Sequence, residues 1–480
     1  MPDPGAVKLA KELDGLPLAI ATAGAYLDQT ARSFSDYLCL YKESWVRLKE
    51  MSPTLNSYED RTLYSTWQIS FDYIKKRNPL SANLLRLWAY FDNQDLWFEL
   101  LQHSDSNDPE WIQELTKDEL SFDGAVRVLI SHGLVEVATS SRESIESKGY
   151  SIHGCVHSWI VHALNQERDC DLARVAVKFV GAHVHREEDV RPWLMQQRLL
   201  PHAARCLFIV VNCWVDDNRM AWAYYNLGFL YRNQGKLAAA EQMYERALAG
   251  FEKVLGAEHT STLDTVHNLG ALYADQGKLA AAEQMYERAL AGYETALGAE
   301  HTSTLATVNN LGILYRNQGK LAAAEQIYER ALRGREKALG AEHTSTLDTV
   351  NNLGNLYVDQ GKLAKAEQMY KQALAGYEKA LGKENTTTYI PALNTMWGLG
   401  ALYESQDNIP KAMIMYLKAF AGYKKVVGPD HPSSQSLRHK LGSLDAIIGD
   451  KALAVVEGSE RPSHLCGKEI LSKSKRSKRF

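Results

Sequence analysis

The second half of this 480-residue sequence repeats itself at a constant step, and this repetition limits the possible folds more than any other feature. The tripeptide NLG recurs every 42 residues, beginning at Asn226, Asn268, Asn310 and Asn352. The segments QGKLA and LGAEH follow the same step, a fifth unit continues at 398–408, and a degraded sixth unit begins near Leu437. Periods of about 20–50 residues are typical of stacked supersecondary units, so we predict an array of them over 217–450.

Each unit is predicted to contain two helices. In HTSTLDTVHNLGALYADQGK (259–278), the threonines and Ser261 can cap a first helix, and Gly277 lies where a helix C-cap needs positive φ. The second helix, KLAAAEQMYERALAGYETALG, is rich in strong helix formers and ends at Gly298. Small residues such as Gly270 allow the helices to approach closely, and Tyr286 fills the gap that they leave.

The alternation of small and large residues resembles a known family of helical repeats. The pattern LG-x-LY followed by A-x3-Y-x2-A is similar to the tetratricopeptide repeat. The period of 42, rather than about 34, and the LGxEH link resemble the kinesin-light-chain type. The resemblance implies a mainly α fold, an α-α superhelix in which the first helix of each unit lines the concave side.

A variable stripe follows the predicted first helices. Units 259–300 and 301–342 are identical at 33 of 42 positions, and five of the nine differences fall on the first helix within an arc about 100° wide. We predict that this stripe binds a partner, with candidate residues Trp222, Tyr225, Phe229, Arg232, Asp264, His267, Asp275, Asn309, Ile313, Arg316, Asn317, Asp348, Asn351, Asn355 and Asp359. The alternative is drift on a solvated face, and the preceding domain is an alternative neighbour for the three aromatic residues.

The first half of the sequence has a different pattern of predicted secondary structure. Helical segments cover much of 58–133, and LVEVATSSRESIESKGYSIHG (134–154) is predicted to form two short strands around a polar turn before GCVHSWIVHAL returns to helix. Helices followed by such a hairpin suggest a winged-helix module. The apolar stretch 206–215 is too short to span a bilayer and is predicted to be a buried helix.

Two segments of this half resemble the nucleotide-binding NB-ARC family. ELDGLPLAIATAGAYL is similar to the GLPLA segment, and SIHGCVHSW lies where that family carries its Met-His-Asp motif. The resemblance implies that Pro17 packs on an adenine and that His153 contacts a phosphate of ADP, although Gly154 replaces the aspartate of the motif. The combination with the repeats resembles fungal-type NLR-like STAND proteins.

No phosphate-binding loop GxxxxGK[ST] occurs in the sequence, so the chain as given is not expected to hold ADP or ATP tightly or to hydrolyse it. The ADP-contacting positions are therefore expected to be vestigial, with no cofactor bound unless a missing nucleotide-binding half is supplied. His153, Cys155, His157 and His162 form a cluster, but a zinc site is not expected because the spacing puts His157 and His162 on different helix faces. The sequence contains none of the catalytic motifs of hydrolases, and we predict that the protein is not an enzyme.

Composition excludes further classes of function. The net charge is −4, and the segment 121–133 that would serve as a recognition helix offers only Arg127 as a cation, so nucleic-acid binding is not expected. The N-terminus lacks the apolar run of a signal peptide, no segment is long enough for a membrane span, and the six cysteines contain no CxxC pair. A cytoplasmic location is predicted, and the basic C-terminus leaves nuclear import open.

These inferences give a domain order and a preferred function. We expect a helical NB-ARC remnant at 1–50, a winged-helix-like domain at 51–170, a helical connector at 171–216, the repeat array at 217–450 and a basic, disordered tail at 451–480. The preferred hypothesis is a ligand-sensing or protein-interaction module of an NLR-like switch, with a peptide or protein in the groove of the array. The alternative is a free-standing adaptor or scaffold like a kinesin light chain, without a nucleotide role.

Overall fold

The computed structural model describes residues 4–13, 15–51, 58–138, 148–165, 167–184, 192–215 and 219–458. The chain divides into two compact units, residues 1–340 and 341–480, which are described separately. The fold is mainly α, as predicted. Among the described residues, no helix combines the length and the apolar character needed to cross a membrane.

Four helices begin the first unit: α1 (Pro4–Glu12), α2 (Pro17–Thr30), α3 (Phe34–Met51) and α4 (Tyr58–Arg77). Gly15 has a φ of +67°, and Pro17 occupies the first turn of α2, where its fixed φ suits a helix start. Tyr26 of α2 packs against Tyr37 and Tyr73, with ring centroids 5.4 and 5.5 Å away. Helices α2, α3 and α4 therefore share a small aromatic core, in a cluster that also contains Leu9 of α1.

A mixed segment follows, with α5 (Pro79–Trp88), β1 (Leu96–Trp97), a 3₁₀ turn (Phe98–Leu101), α6 (Glu110–Thr116), α7 (Glu119–Ser131), β2 (Glu136–Val137) and β3 (Gly149–Ser151). The strands form one antiparallel sheet in the order β1-β3-β2, in which Tyr150 is opposite both Leu96 and Val137. Both predicted strands are present in 134–154. The first strand, β1, was not anticipated because two buried residues are too few to show a period.

The segment then returns to helix, as expected, through α8 (Gly154–Trp159), a π-helix (Ile160–Leu164), α9 (Cys170–Ala182) and α10 (Pro192–Val211). The predicted buried helix over 206–215 ends at Val211, and up to that residue the prediction is correct for one face only. Cys206 and Ile209 are buried, whereas Phe208 and Val211 are nearly half exposed. An apolar run thus covers both the core-facing and the solvent-facing side of α10.

Helix pairs form the rest of the first unit: α11 (Ala221–Asn233) with α12 (Leu237–Leu255), α13 (Thr260–Asp275) with α14 (Leu279–Ala296), and α15 (Thr302–Asn317) with α16 (Leu321–Leu339). Gly277 has the predicted positive φ, +74°. A Cβ on Gly270 would lie 2.9 Å from the ring of Tyr286, and one on Gly312 would lie 2.7 Å from Tyr328. The predicted packing of small against large residues is therefore present.

The second unit continues the pairs with α17 (Thr344–Asp359), α18 (Leu363–Thr386), α19 (Ile390–Ser405), α20 (Ile409–Val426) and α21 (Pro432–Gly458). A positive φ at Gly382 interrupts α18 at the position that ends the equivalent helix in earlier repeats. Helix α21 extends past 451, where the tail was predicted to begin, and residues 459–480 lie outside the described residues.

The predicted capping of the first helices by threonine or Ser261 is wrong. The N-cap of α13 is His259, whose Nδ1 accepts a hydrogen bond from the backbone N–H of Ser261 at 3.1 Å. His301 and His343 do the same in the next two repeats. The hydroxyl of Thr262 instead donates to the carbonyl of Gly256 at 2.8 Å, and this hydrogen bond joins the two ends of the LGAEHTST link. An imidazole can replace a hydroxyl here because its unprotonated ring nitrogen accepts a hydrogen bond.

Candidate partner-binding groove

A pocket of about 230 Å³ opens on the first helices of the first unit, between α11, α13 and α15. It brings together five of the predicted partner-binding residues, namely Arg232, His267, Asp275, Ile313 and Asn317. It also has a lining that the sequence prediction omitted, including Asn268, Asn310 and Tyr286. These residues are called the groove pocket below.

The rim of the groove pocket carries an ion pair between neighbouring repeats. Nε of Arg232 lies 2.7 Å from Oδ2 of Asp275, and both side chains are partly exposed. A pair of this exposure contributes little to stability, about 0–1 kcal/mol. Its consequence is positional: a positive and a negative group lie side by side at the mouth of the pocket.

The floor of the groove pocket is a neutral histidine held on both ring nitrogens. Nδ1 of His267 lies 2.9 Å from the hydroxyl of Thr307, which itself donates to the carbonyl of Ser303. Nδ1–H is therefore the donor, and the amide of Asn310 donates to the unprotonated Nε2 at 3.1 Å. Burial, with a smaller effect of the positive charge of Arg232, lowers the pKa of His267 to about 4.

The constant asparagines of the NLG motif connect successive repeats. Asn226 donates to the carbonyl of Gly181 in α9 at 3.0 Å, Asn268 donates to the hydroxyl of Tyr225 at 2.8 Å, and Asn310 donates to His267. These bonds join α11 to α9, α13 to α11 and α15 to α13. Sequence reasoning missed this ladder because it searched for variable positions, while the informative feature was the constancy of the asparagine at a half-buried site.

Other predicted residues of the first unit are occupied by contacts within the fold. Asp264 accepts a hydrogen bond from the hydroxyl of Tyr293, and Asn309 is buried. The ring of Tyr225 packs edge-on against Tyr244 at 5.8 Å, and Phe229 is partly buried against the main core. Trp222 is 37% exposed and Arg316 is half-buried. Their contribution to partner binding stays a prediction.

The predicted residues of the second unit show the same division. The carboxylate of Asp348 accepts from the hydroxyl of Tyr377 at 2.6 Å, Asn355 accepts from Tyr370 at 2.5 Å, and Asn351 is buried and accepts from Thr395 at 2.9 Å. Asp359 is exposed at the end of α17. Three of the four therefore orient neighbouring side chains.

Pro17 and His153 both have exposed side chains. His153 is the N-cap of α8, and its Nδ1 accepts from the backbone N–H of Cys155 at 3.3 Å. His157 faces inward instead, with Nε2 3.1 Å from the carbonyl of Phe91, and burial lowers its pKa. Within the described part of the chain, no three His, Cys, Asp or Glu side chains are grouped so as to hold a metal ion.

The helix pairs match the family models of the tetratricopeptide repeat over 219–295, 303–379 and 393–433. The repeats are tetratricopeptide repeats. The array therefore belongs to a class of repeat that supports protein–protein interaction and is typically not catalytic.

Individual proteins extend this comparison. A nucleotide-binding leucine-rich repeat (NLR)-like protein of Hyaloscypha variabilis is 30% identical over 281 residues, which are 55% of this chain and 26% of that protein. The chain thus spans about a quarter of the length of this relative. The predicted similarity to an NLR-like protein is confirmed.

Solved structures also match. Nearly identical TPR-like repeats assigned to a kinesin light chain of Podosopora anserina are 25% identical and cover 44% of this chain and 97% of that chain, with a TM-score of 0.34. NprR in complex with its cognate peptide NprX is 14% identical and covers 61% of this chain and 83% of that chain, with a TM-score of 0.44.

Proposed function

We propose that the tetratricopeptide array binds an extended segment of a partner protein and that the groove pocket receives one of its side chains. The observation that carries the proposal is the composition of this pocket, which combines both signs of charge, amide groups and an apolar wall in one opening. Its volume of about 230 Å³ is below the range of about 300–1,000 Å³ typical of small-molecule sites, which favours a single peptide side chain.

The chemistry of the lining supports a peptide. Arg232 and Asp275 are placed to contact polar groups, while Ala271 and Ile313 offer an apolar wall. The side-chain amide of Asn268 donates its N–H groups to the hydroxyl of Tyr225 and to the carbonyl of Asp264. Its oxygen is therefore left as an acceptor for a ligand backbone. His267, held neutral, adds no charge at neutral pH.

The test is selection of peptides from a displayed random library on the purified full chain, followed by affinity measurement. Ile313→Asp should lower the affinity of selected peptides at least tenfold, because it places a carboxylate in the apolar wall. Val254→Asp is the matched control, since Val254 is 60% exposed on α12 and does not line the groove pocket. Equal affinities for the wild type and Ile313→Asp would refute the assignment of this pocket.

For the first half we propose a winged-helix-like module next to an NB-ARC-type segment, which would link partner binding to a switch. The three-stranded sheet, in which β1 follows α5 and the pair β2–β3 follows α7, supports the first part. The exposed positions of Pro17 and His153 leave both open to a nucleotide or to another domain. Titration with labelled ADP tests the nucleotide role. Micromolar binding by this chain would contradict the expectation that these positions are vestigial.

A further inference from the structure

A cavity of about 540 Å³ lies in the first unit where the end of α5, the π-helix and α10 meet, and the groove pocket shares none of its residues. Its polar and aromatic lining includes Tyr90, His162, Arg168, Arg205, Phe208 and Trp214. Among the described residues, no aspartate or glutamate lines it. The cavity is therefore both aromatic and basic.

Two guanidinium groups converge on one indole ring. The guanidinium carbon of Arg168 lies 4.8 Å from the centroid of Trp214, and that of Arg205 lies 5.7 Å away. Arg205 also lies 5.1 Å from the ring of Phe208. Guanidinium groups that stack on aromatic rings keep their N–H edges free for bidentate contact with a planar or tetrahedral anion.

Within the described ranges, no carboxylate forms an ion pair with Arg168 or Arg205, although the charge of Asp92 acts on Arg205 and opposes the lowering of its pKa by burial. Asp169 caps α9 through two backbone N–H groups and lies 3.8 Å from Arg86, and Asp92 accepts from the backbone N–H of Gln94. Nη2 of Arg205 donates to the carbonyl of Ala89 at 3.2 Å, but its buried Nε has no hydrogen-bond partner within the described chain. An unpaired donor of a half-buried cation is costly unless a ligand accepts from it.

The backbone next to the cavity is also unusual. The five residues Ile160–Leu164 form a π-helix, closed by a bond from the N–H of Asn165 to the carbonyl of Ile160 at 3.1 Å. Such turns are rare and occur frequently at functional sites. Here the π-helix supplies Val161 and His162 to the wall of the cavity, and Asn165 follows at its end.

We propose that this cavity binds a small aromatic anion, with its ring against Tyr90, Phe208 and Trp214 and its phosphate or carboxylate held by Arg168 and Arg205. The volume of about 540 Å³ lies within the range of small-molecule sites. The site is separate from the peptide groove, so it stands or falls independently of the function proposed for the array.

The experiment is calorimetric titration of the full chain with phenyl phosphate, benzoate, inorganic phosphate and benzyl alcohol. We expect saturable binding of at least one aromatic anion, at least tenfold tighter than inorganic phosphate, and no binding of the uncharged benzyl alcohol. The ratio between phenyl phosphate and benzoate identifies the anionic group. Absence of saturable binding by both aromatic anions would overturn the proposal.

Variants distinguish binding in this cavity from binding to other basic residues on the surface. Arg168→Ala should weaken the aromatic anion at least tenfold without changing the melting temperature, because the Arg168 side chain is exposed. Arg205→Lys, which keeps the charge but removes the planar fork, should also weaken it. Arg333→Ala, at an exposed arginine of α16, is the matched control and should bind normally. Equal affinity in all three variants would rule out this cavity as the site.

Discussion

The two repeats at 259–300 and 301–342 show how nearly identical sequences divide between fold and surface. Both place a glycine of the first helix against a tyrosine of the second, Gly270 against Tyr286 and Gly312 against Tyr328. They differ at a linked pair of positions. Asp264 bonds to Tyr293 in one repeat, whereas the other has Ala306 on the first helix and a buried Arg335 on the second.

This comparison divides the variable stripe into two classes. Positions 264 and 267 contact neighbours inside the array: Asp264 pairs with Tyr293, which also differs in the next repeat, and His267 pairs with the constant Asn310. Positions 275 and 317 are exposed at the rim of the groove pocket, where Asp275 pairs with Arg232, and they are the positions that we propose contact a ligand. Variation along the stripe therefore records repeat-to-repeat fitting and, on the function proposed above, selection of a ligand.

The largest expected effect is a change in the pH dependence of stability when His267 is replaced. The equivalent residue of the next repeat is Asn309, which does not titrate. The pKa of His267, about 4 in the folded chain, lies below the ordinary value of 6.5, so the unfolded chain takes up the proton first as pH falls. The contribution of this group to the free energy of unfolding is fully present above about pH 6.5. It is lost as the pH falls toward 4, and the loss is at most about 3 kcal/mol.

Urea denaturation of wild type and His267→Asn from pH 7.5 to 4 measures this effect. The variant copies the neighbouring repeat, so it should fold and should have a shallower loss of stability below pH 6.5. Other buried histidines, such as His202, titrate equally in both proteins and cancel in the difference. If the two pH profiles are parallel, the pKa of His267 is not lowered by folding, and its side chain is solvated rather than buried.

The shared glycine–tyrosine contact predicts the next largest effect. Gly312→Ala would usually stabilise a helix by about 1 kcal/mol, but its Cβ would lie 2.7 Å from the ring of Tyr328. Overpacking of this kind costs about 1–3 kcal/mol, so we expect net destabilisation in urea. Gly124→Ala in α7, whose Cβ would meet nothing within 4 Å, is the matched control and should stabilise. Stabilisation by both changes would refute tight packing at Gly312.

The linked pair gives a smaller, coupled effect. Asp264→Ala and Tyr293→Phe each break the same hydrogen bond, and a bond to a charged group contributes about 1.5–3 kcal/mol. The double variant should cost about 1–2 kcal/mol less than the sum of the single variants in a double-mutant cycle. Additive costs would show that Asp264 and Tyr293 do not interact, and Asp264 would again be a candidate for partner binding.

Much of the fold followed from the sequence, because a 42-residue period and the small-to-large alternation leave few ways to stack helices. The sequence also predicted the positive φ of Gly277 and both strands that pair Val137 with Tyr150. It predicted the site less well. Whether a stripe residue faces solvent or a neighbour, as for Asp264, depends on contacts between helices that no single-helix projection contains. Nor could the sequence reveal the cavity around Trp214, since its lining comes from three separate segments.

The smallest effect tests the corrected helix cap, which the repeats 259–300 and 301–342 share through His259 and His301. Loss of an N-cap acceptor costs about 0.5–2 kcal/mol, and an imidazole on an exposed turn should fall near the lower end. We therefore expect His259→Ala to lower the free energy of unfolding by about 0.5–1 kcal/mol and His259→Asn to restore most of it, since asparagine is a strong N-cap. Ser261→Ala should be nearly neutral, because only the backbone N–H of Ser261 takes part in the cap. A larger loss from Ser261→Ala than from His259→Ala would restore the hydroxyl as the capping group, and the histidine of the LGAEH link would then need another explanation.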